Sequence, residues 1–289
     1  MKTAATNTSG SSKRNGPTTT AVAKPASTAV GAALNFEADA GAGLEGADKD
    51  SYAIPFLIVL QPLSPVVVDK TVPGAEAGMI MNSVTQELYG REAFFVPVAF
   101  QRRFVRWQSR KKGGGFKGEM SAAEAAKTRA EGGVNELENR LFIPEPDGSI
   151  NPELSDKLAD TRNHFGILLR TADDDFGTPM VLALASTGIR VSKNFLSRIE
   201  SIKLQRQDGT RYTPPSFSHI YRIGTEQKKN DSGTWFLPTI TLIGPVKNEN
   251  LYHLGKGFHD RVLEGKVELA HDSAAKAEGA GAPPEDGKF

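Results

Sequence analysis

The chain contains no cysteine, which removes disulfides, thiol nucleophiles and thiolate metal sites together. No apolar run approaches the length of a membrane span. Lys2, Lys13 and Arg14 precede no hydrophobic segment, so the N-terminus does not read as a secretory signal. A GxxxxGK[ST] phosphate loop is missing, and His164, His219, His253, His259 and His271 match neither HExxH nor zinc-finger spacing. No serine sits in a recognisable nucleophile elbow. Net charge is also scarce, 35 Lys and Arg against 34 Asp and Glu for a formal +1. These gaps leave no catalytic residue, metal ligand or cofactor to name. The expectation is a soluble binding protein rather than an enzyme, with no membrane partner.

Large apolar side chains are thin at both ends. Residues 1–50 are dominated by Ala, Thr, Ser, Gly and Pro, too little apolar surface to offset the entropy of ordering the backbone. They read as a disordered N-terminal arm, and residues 264–289 as a flexible acidic tail. Between them, residues 51–263 are long enough for one substantial core.

That middle is rich in strand signals. Tyr52–Leu60 is apolar and β-rich, with Pro55 pointing to an edge or a strand start. Gly78–Thr85 and Glu92–Trp107 read as strands around a turn at Tyr89-Gly90. Phe165–Leu169 with Pro179–Ser186, and Phe217–Ile223 with Thr234–Ile243, read as hairpins, the second joined by the polar loop TEQKKNDSG. Ser121 and Glu124 form a capping-box signature for a helix to Ala130. Val191, Phe195, Ile199 and Ile202 recur at helical spacing, and Leu251–Leu263 is a helix candidate weakened by Gly255 and Gly257. Residues 113–160 read as an insertion, extended rather than core-forming from Gly132 to Asp160. With no regular strand–helix alternation, the expected fold is mainly β: an OB-like antiparallel barrel with long insertions and one or two short helices.

What is concentrated is positive charge beside aromatic rings. FQRRFVRWQSRKKGGGFK places Arg102, Arg103, Arg106, Arg110, Lys111, Lys112 and Lys117 around Phe104, Trp107 and Phe116. No carboxylate lies between Glu92 and Glu119. Cations neutralise phosphates and rings stack on bases, so this composition suits a nucleic-acid strand with exposed bases. The arginines fall on both strand parities, so a bulge or twist is required to gather them on one surface. The competing interpretation is core rings beneath a solvated charged face. A second stretch, Lys193, Arg198, Lys203, Arg206 and Arg211, either extends the same groove or forms the solvent side of an amphipathic helix. The turn Asp173-Asp174-Asp175 is a weak candidate for a nuclease metal site and a stronger one for a solvent-facing turn. Glu285, Asp286 and Phe289 form a candidate partner-binding end of the tail, or plain solubilising sequence.

The stretches YAIPFLIVLQPLSP, GAEAGMIMNSVTQELYG, VPVAFQRRFVRWQSRKKGGGF and STGIRVSKNFLSRI through NDSGTWF resemble a group of phage proteins. More loosely, they resemble phage single-stranded DNA-binding proteins. The second resemblance implies an OB-fold core that coats replication or recombination intermediates and an acidic tail ending in Phe. Lys288 and the long insertions depart from that plan. The expectation is sequence-independent single-stranded DNA binding in the host cytoplasm, with replication or recombination proteins contacted through the tail. A structural protein of the virion and a metal-dependent nuclease or recombination accessory are the alternatives. Oligomeric state is left open, a homo-oligomer included.

Overall fold

The computed structural model describes residues 38, 40, 42–47, 51–231 and 233–278. The chain divides into two units, Met1–Ala47 and Asp48–Phe289. The described part of the first is a turn, in which Glu45 accepts a hydrogen bond from the Gly43 amide at 2.9 Å. The rest of the expected arm lies outside the described residues, as does the end of the tail with Glu285, Asp286 and Phe289.

In the second unit the apolar YAIPFLIVL run becomes two short strands, β1 (Ala53–Ile54) and β2 (Leu57–Val59). They part at Pro55, which has no amide to donate and whose carbonyl accepts from Val181 at 3.0 Å. A single turn of helix, α1 (Pro65–Val68), leads to β3 (Ile80–Asn82) and β4 (Leu88–Gly90). The Asn82 side chain ties the turn after β3 by accepting from the amides of Val84 and Thr85, at 2.8 and 3.0 Å. Strand β5 (Glu92–Trp107) fills the predicted alternating segment. It is followed by β6 (Phe116–Ser121) and α2 (Ala122–Ala130), whose start carries the complete Ser121–Glu124 capping box. Residues 132–160 are not a coreless excursion. They contribute β7 (Asn135–Leu137), β8 (Arg140–Phe142) and the start of β9 (Lys157–Leu169), and they bury Val134 and Phe142. Next come β10 (Thr178–Ala185), α3 (Gly188–Ser201), β11 (Leu204–Gln205) and β12 (Arg211–Tyr212). The chain continues with β13 (His219–Asn230), β14 (Gly233–Pro245), α4 (Glu249–Leu263), β15 (Glu268–Leu269) and α5 (His271–Glu278).

The fold is mainly β, as expected, with five α-helices among the described residues rather than one or two. Its axis is the antiparallel ladder of β5 with β9, running from Phe94 opposite Leu169 to Trp107 opposite Lys157. At the proximal end β5 is flanked by β13 and then β14, and β9 by β10. At the distal end β5 is flanked by β6, and β9 by the β7–β8 hairpin. Strands β2, β3 and β4 form a separate small sheet, joined to β10 by the bridge between Phe56 and Val181. On the other side, the Gln61 side-chain amide exchanges two hydrogen bonds with the backbone of Phe236, at 2.9 and 3.0 Å. Among the described residues the strand ladders do not close into the expected barrel; a bridge and a side-chain amide join the small sheet to β10 and β14.

Gln61 also blunts an edge. Phe236, Pro238 and Ile240 are alternate positions on β14, whose side away from β13 has no ladder partner among the described residues. Gln61 occupies Phe236, Pro238 has no amide hydrogen, and Arg198 donates to the Ile240 carbonyl at 2.5 Å.

Proximally both sheet faces are covered. On one, Val96, Val98, Phe165, Ile167 and Val181 pack with Leu251, Phe258 and Val262 of α4. On the other, Phe95, Leu168, Met180, Leu182 and Leu184 pack with Val191 of α3. The Phe95 ring passes so close to Gly166 that a Cβ there would lie 2.2 Å from it. Buried His164 meets Ser192 Oγ of α3 at 2.8 Å, and burial drives its pKa down to about 3, with the Arg162 charge assisting. A bulge in β5 between Pro97 and Ala99 then changes the strand's parity relative to β9. Phe100 and Phe104, which an unbroken alternation would put on one face with Val96 and Val98, therefore turn to the α3 side. Phe100 lies against His164, with ring centroids 5.1 Å apart. Phe104 enters a small distal core with Ala125, Val134 and Leu158.

Candidate nucleic-acid interface

The basic run is uncompensated in sequence only. Arg102 makes a bidentate pair with Asp160 on the neighbouring strand, at 2.9 and 2.6 Å, and Arg162 reaches the same carboxylate at 3.1 Å. Burial pushes the Asp160 carboxyl up, but the two guanidinium groups outweigh it and leave the pKa below its ordinary value. Arg106 pairs with Asp156 at 2.7 Å, and Asp156 also accepts from the Ser109 amide at 3.3 Å. Lys111 pairs with Glu153, and Lys112 with Glu145 at 2.9 Å. Arg103 turns to the opposite face, toward Gln101 at 2.9 Å and Glu119 at 3.4 Å. The carboxylates come from the segment that sequence reasoning set aside as an insertion. The β5–β9 register brings Asp160 beside Arg102, and the segments that lead out of β5 and into β9 bring the lysines to Glu145 and Glu153.

Two members of the run stay free. Arg110, in the helical turn capped by Ser109, and Lys117, in β6, are exposed and have no ion-pair partner among the described residues. Between them the ladder ends in a row on one face: Phe116 opposite Trp107, Trp107 opposite Lys157, Lys157 opposite Phe142. Phe142 is sealed, while Trp107, Phe116 and Lys157 are partly exposed. Lys157 also lacks an ion-pair partner among the described residues. The Trp107 and Phe116 rings meet edge to face, 6.2 Å between centroids. His271, at the start of α5, stacks on Phe116 at 4.0 Å with the planes 4° apart, and lies 3.5 Å from Glu119. One face of Phe116 is thus already occupied, which leaves Trp107 as the principal ring of this end.

Phe142, Lys157 and His271 were not singled out from sequence. Phe142 and Lys157 lay inside the segment read as extended, and His271 was one of five scattered histidines. Only the strand register assembles them.

The second basic stretch does not join the first. Lys193 is exposed on α3, which packs on the face that carries His164. Lys157 and His164 are an odd number of residues apart on β9, so the Trp107 row lies on the other face, about 23 Å along the strand. Arg198 is committed to the Ile240 carbonyl. Lys203 pairs with Glu200 at 2.9 Å, and Arg206 lies over the Tyr212 ring at 4.6 Å. Arg211 is exposed in β12. A single channel collecting all these cations is not formed. In the acidic turn, Asp174 is used locally, accepting from the amides of Arg170 and Thr171 and from the Thr171 hydroxyl, at 2.8, 2.9 and 2.6 Å. That is turn chemistry.

Geometry therefore defines a strand-built protein with a compensated basic ribbon and a small aromatic-cationic end. Residues 23–268 match the family model described as Pam3 phage gp34-like protein, and the chain belongs to that phage protein family. No curated protein matches, nor does any solved structure. Among the described residues, no helix is long and apolar enough to cross a membrane.

Proposed function

We propose that this protein binds single-stranded DNA without regard to sequence, through the distal end of the β5–β9 ladder. The observation that carries this reading is the partly exposed Trp107, opposite Lys157 and near Arg110 and Lys117 in the chain, three cations without an ion-pair partner among the described residues. A base stacking on Trp107 gains the sequence-tolerant π contact, and the cations take the flanking phosphates. The paired arginines on β5 hold the ladder in register and leave the contact to its end. A footprint this small makes the binding modest. It suits transient strands in replication or recombination.

Titration of the full chain with a fluorescent oligothymidylate tests this. Three phosphate contacts give a salt slope of about −2, an affinity loss of about 20-fold between roughly 50 and 200 mM salt. Only two tryptophans are present, and the Trp235 Nε1 is buried. Both side chains are partly exposed, so the Trp107 share of the quenching is read as the part lost in Trp107→Phe. Absence of binding at low salt, or preference for blunt duplex, rejects the reading. The ribbon would then stand as a purely structural element, as a virion component requires.

A further inference from the structure

At the proximal end of the β5–β9 ladder, α4 carries two glycines that packing treats differently. Its buried stripe is Leu251, Gly255, Phe258 and Val262. A Cβ at Gly255 would come 3.1 Å from the Phe217 Cβ, so close helix packing accounts for that glycine. Gly257 has no such reason: a Cβ there meets nothing within 4 Å. A glycine inside a helix is less favourable than alanine, because its backbone has more freedom to lose. Gly257 lies on a second stripe with Leu254 and Arg261, and this stripe walls a cleft of about 360 Å³. Tyr52, Pro55 and Pro179 form the opposite wall. Prolines restrict backbone rearrangement, so the cleft is largely preformed.

The lining is predominantly apolar, with one permanent charge. Arg261 lies over the Phe258 ring at 5.4 Å, and its Nε is buried without a hydrogen-bond acceptor. It has no ion-pair partner among the described residues, since the neighbouring Asp260 pairs with His259 at 3.0 Å. Arg261 is the one permanently charged residue among those that line the cleft, and no carboxylate is among them, so an anionic head there meets an uncontested guanidinium. We propose that this cleft is a binding site for a small molecule with an apolar body and one anionic head, carboxylate or phosphate. Arg261 takes the head, and the missing side chain of Gly257 admits the body. The site is independent of the DNA-binding reading, on another part of the fold.

The test uses the full chain and 1-anilinonaphthalene-8-sulfonate, an apolar body with a single anionic head, followed by fluorescence. Saturable binding at one equivalent is expected. Gly257→Leu fills the cleft without a backbone clash, and Arg261→Gln removes the charge. Each is expected to weaken binding at least tenfold while thermal unfolding stays cooperative. 3-Phenylpropionate or phenyl phosphate is expected to displace the probe, and whichever competes better identifies the head. 3-Phenylpropanol, with the same body and no charge, is expected not to. Lack of a saturable site overturns the proposal. So does probe binding that Gly257→Leu leaves unchanged, or equal competition by the alcohol.

Discussion

Before its bulge β5 buries Ala93, Phe95, Val96 and Val98; after it the same strand carries Arg102, Arg103 and Arg106. Strand β9 mirrors the change, with Phe165, Ile167, Leu168 and Leu169 buried at one end and Asp160 paired to two arginines at the other. Helices cover both faces proximally, so hydrophobic burial stabilises that half. The distal half has only the small core beneath α2, and ion pairs across the ladder fix its register. One pair of strands thus combines a rigid base with a polar end. Such an end tolerates free cations.

The contrast is easiest to break at the base. Phe165→Ala is expected to cost about 3–5 kcal/mol, read as a lowered midpoint in chemical denaturation, because the cavity opens beneath α4. The next effect is pH-dependent. His164 remains neutral in the fold down to about pH 3 but takes up a proton near pH 6.5 when unfolded. Its contribution is complete above pH 6.5 and is lost as pH falls toward 3, at about 1.4 kcal/mol per pH unit. His164→Gln is expected to flatten that acid limb in denaturation measured at several pH values. In the distal half, Asp160→Ala leaves Arg102 and Arg162 facing each other, at an expected cost of about 1–3 kcal/mol. The Arg102 side chain is 43% exposed, so solvent screening places the result toward the lower end. The smallest effect belongs to Lys111 and Glu153, whose side chains are 58% and 68% exposed. A double-mutant cycle at physiological salt is expected to find no measurable coupling between them.

Local signals in the sequence were sufficient for much of the strand and helix framework. Alternation from Glu92 to Trp107 marks β5, the Ser121–Glu124 pair marks the start of α2, and the hairpin of β9 with β10 follows from apolar runs around an acidic turn. The polar loop TEQKKNDSG was misread because Thr225–Asn230 continues the ladder opposite β14, where pairing overrides composition. At the distal end the decisive information is long-range. Asp160 lies 58 residues from Arg102, Asp156 50 from Arg106 and Glu153 42 from Lys111. No local window contains both partners. A gap in acidic residues along the chain was therefore a poor guide to charge in space.

The blunted side of β14 sets how copies of this protein tolerate one another. With three alternate backbone positions closed by an amide, a proline and an arginine, a second molecule finds no continuous row of donors and acceptors on which to add a strand. Along this edge, neighbouring copies would have to meet through side chains and would remain separate folding units, instead of merging into a shared sheet.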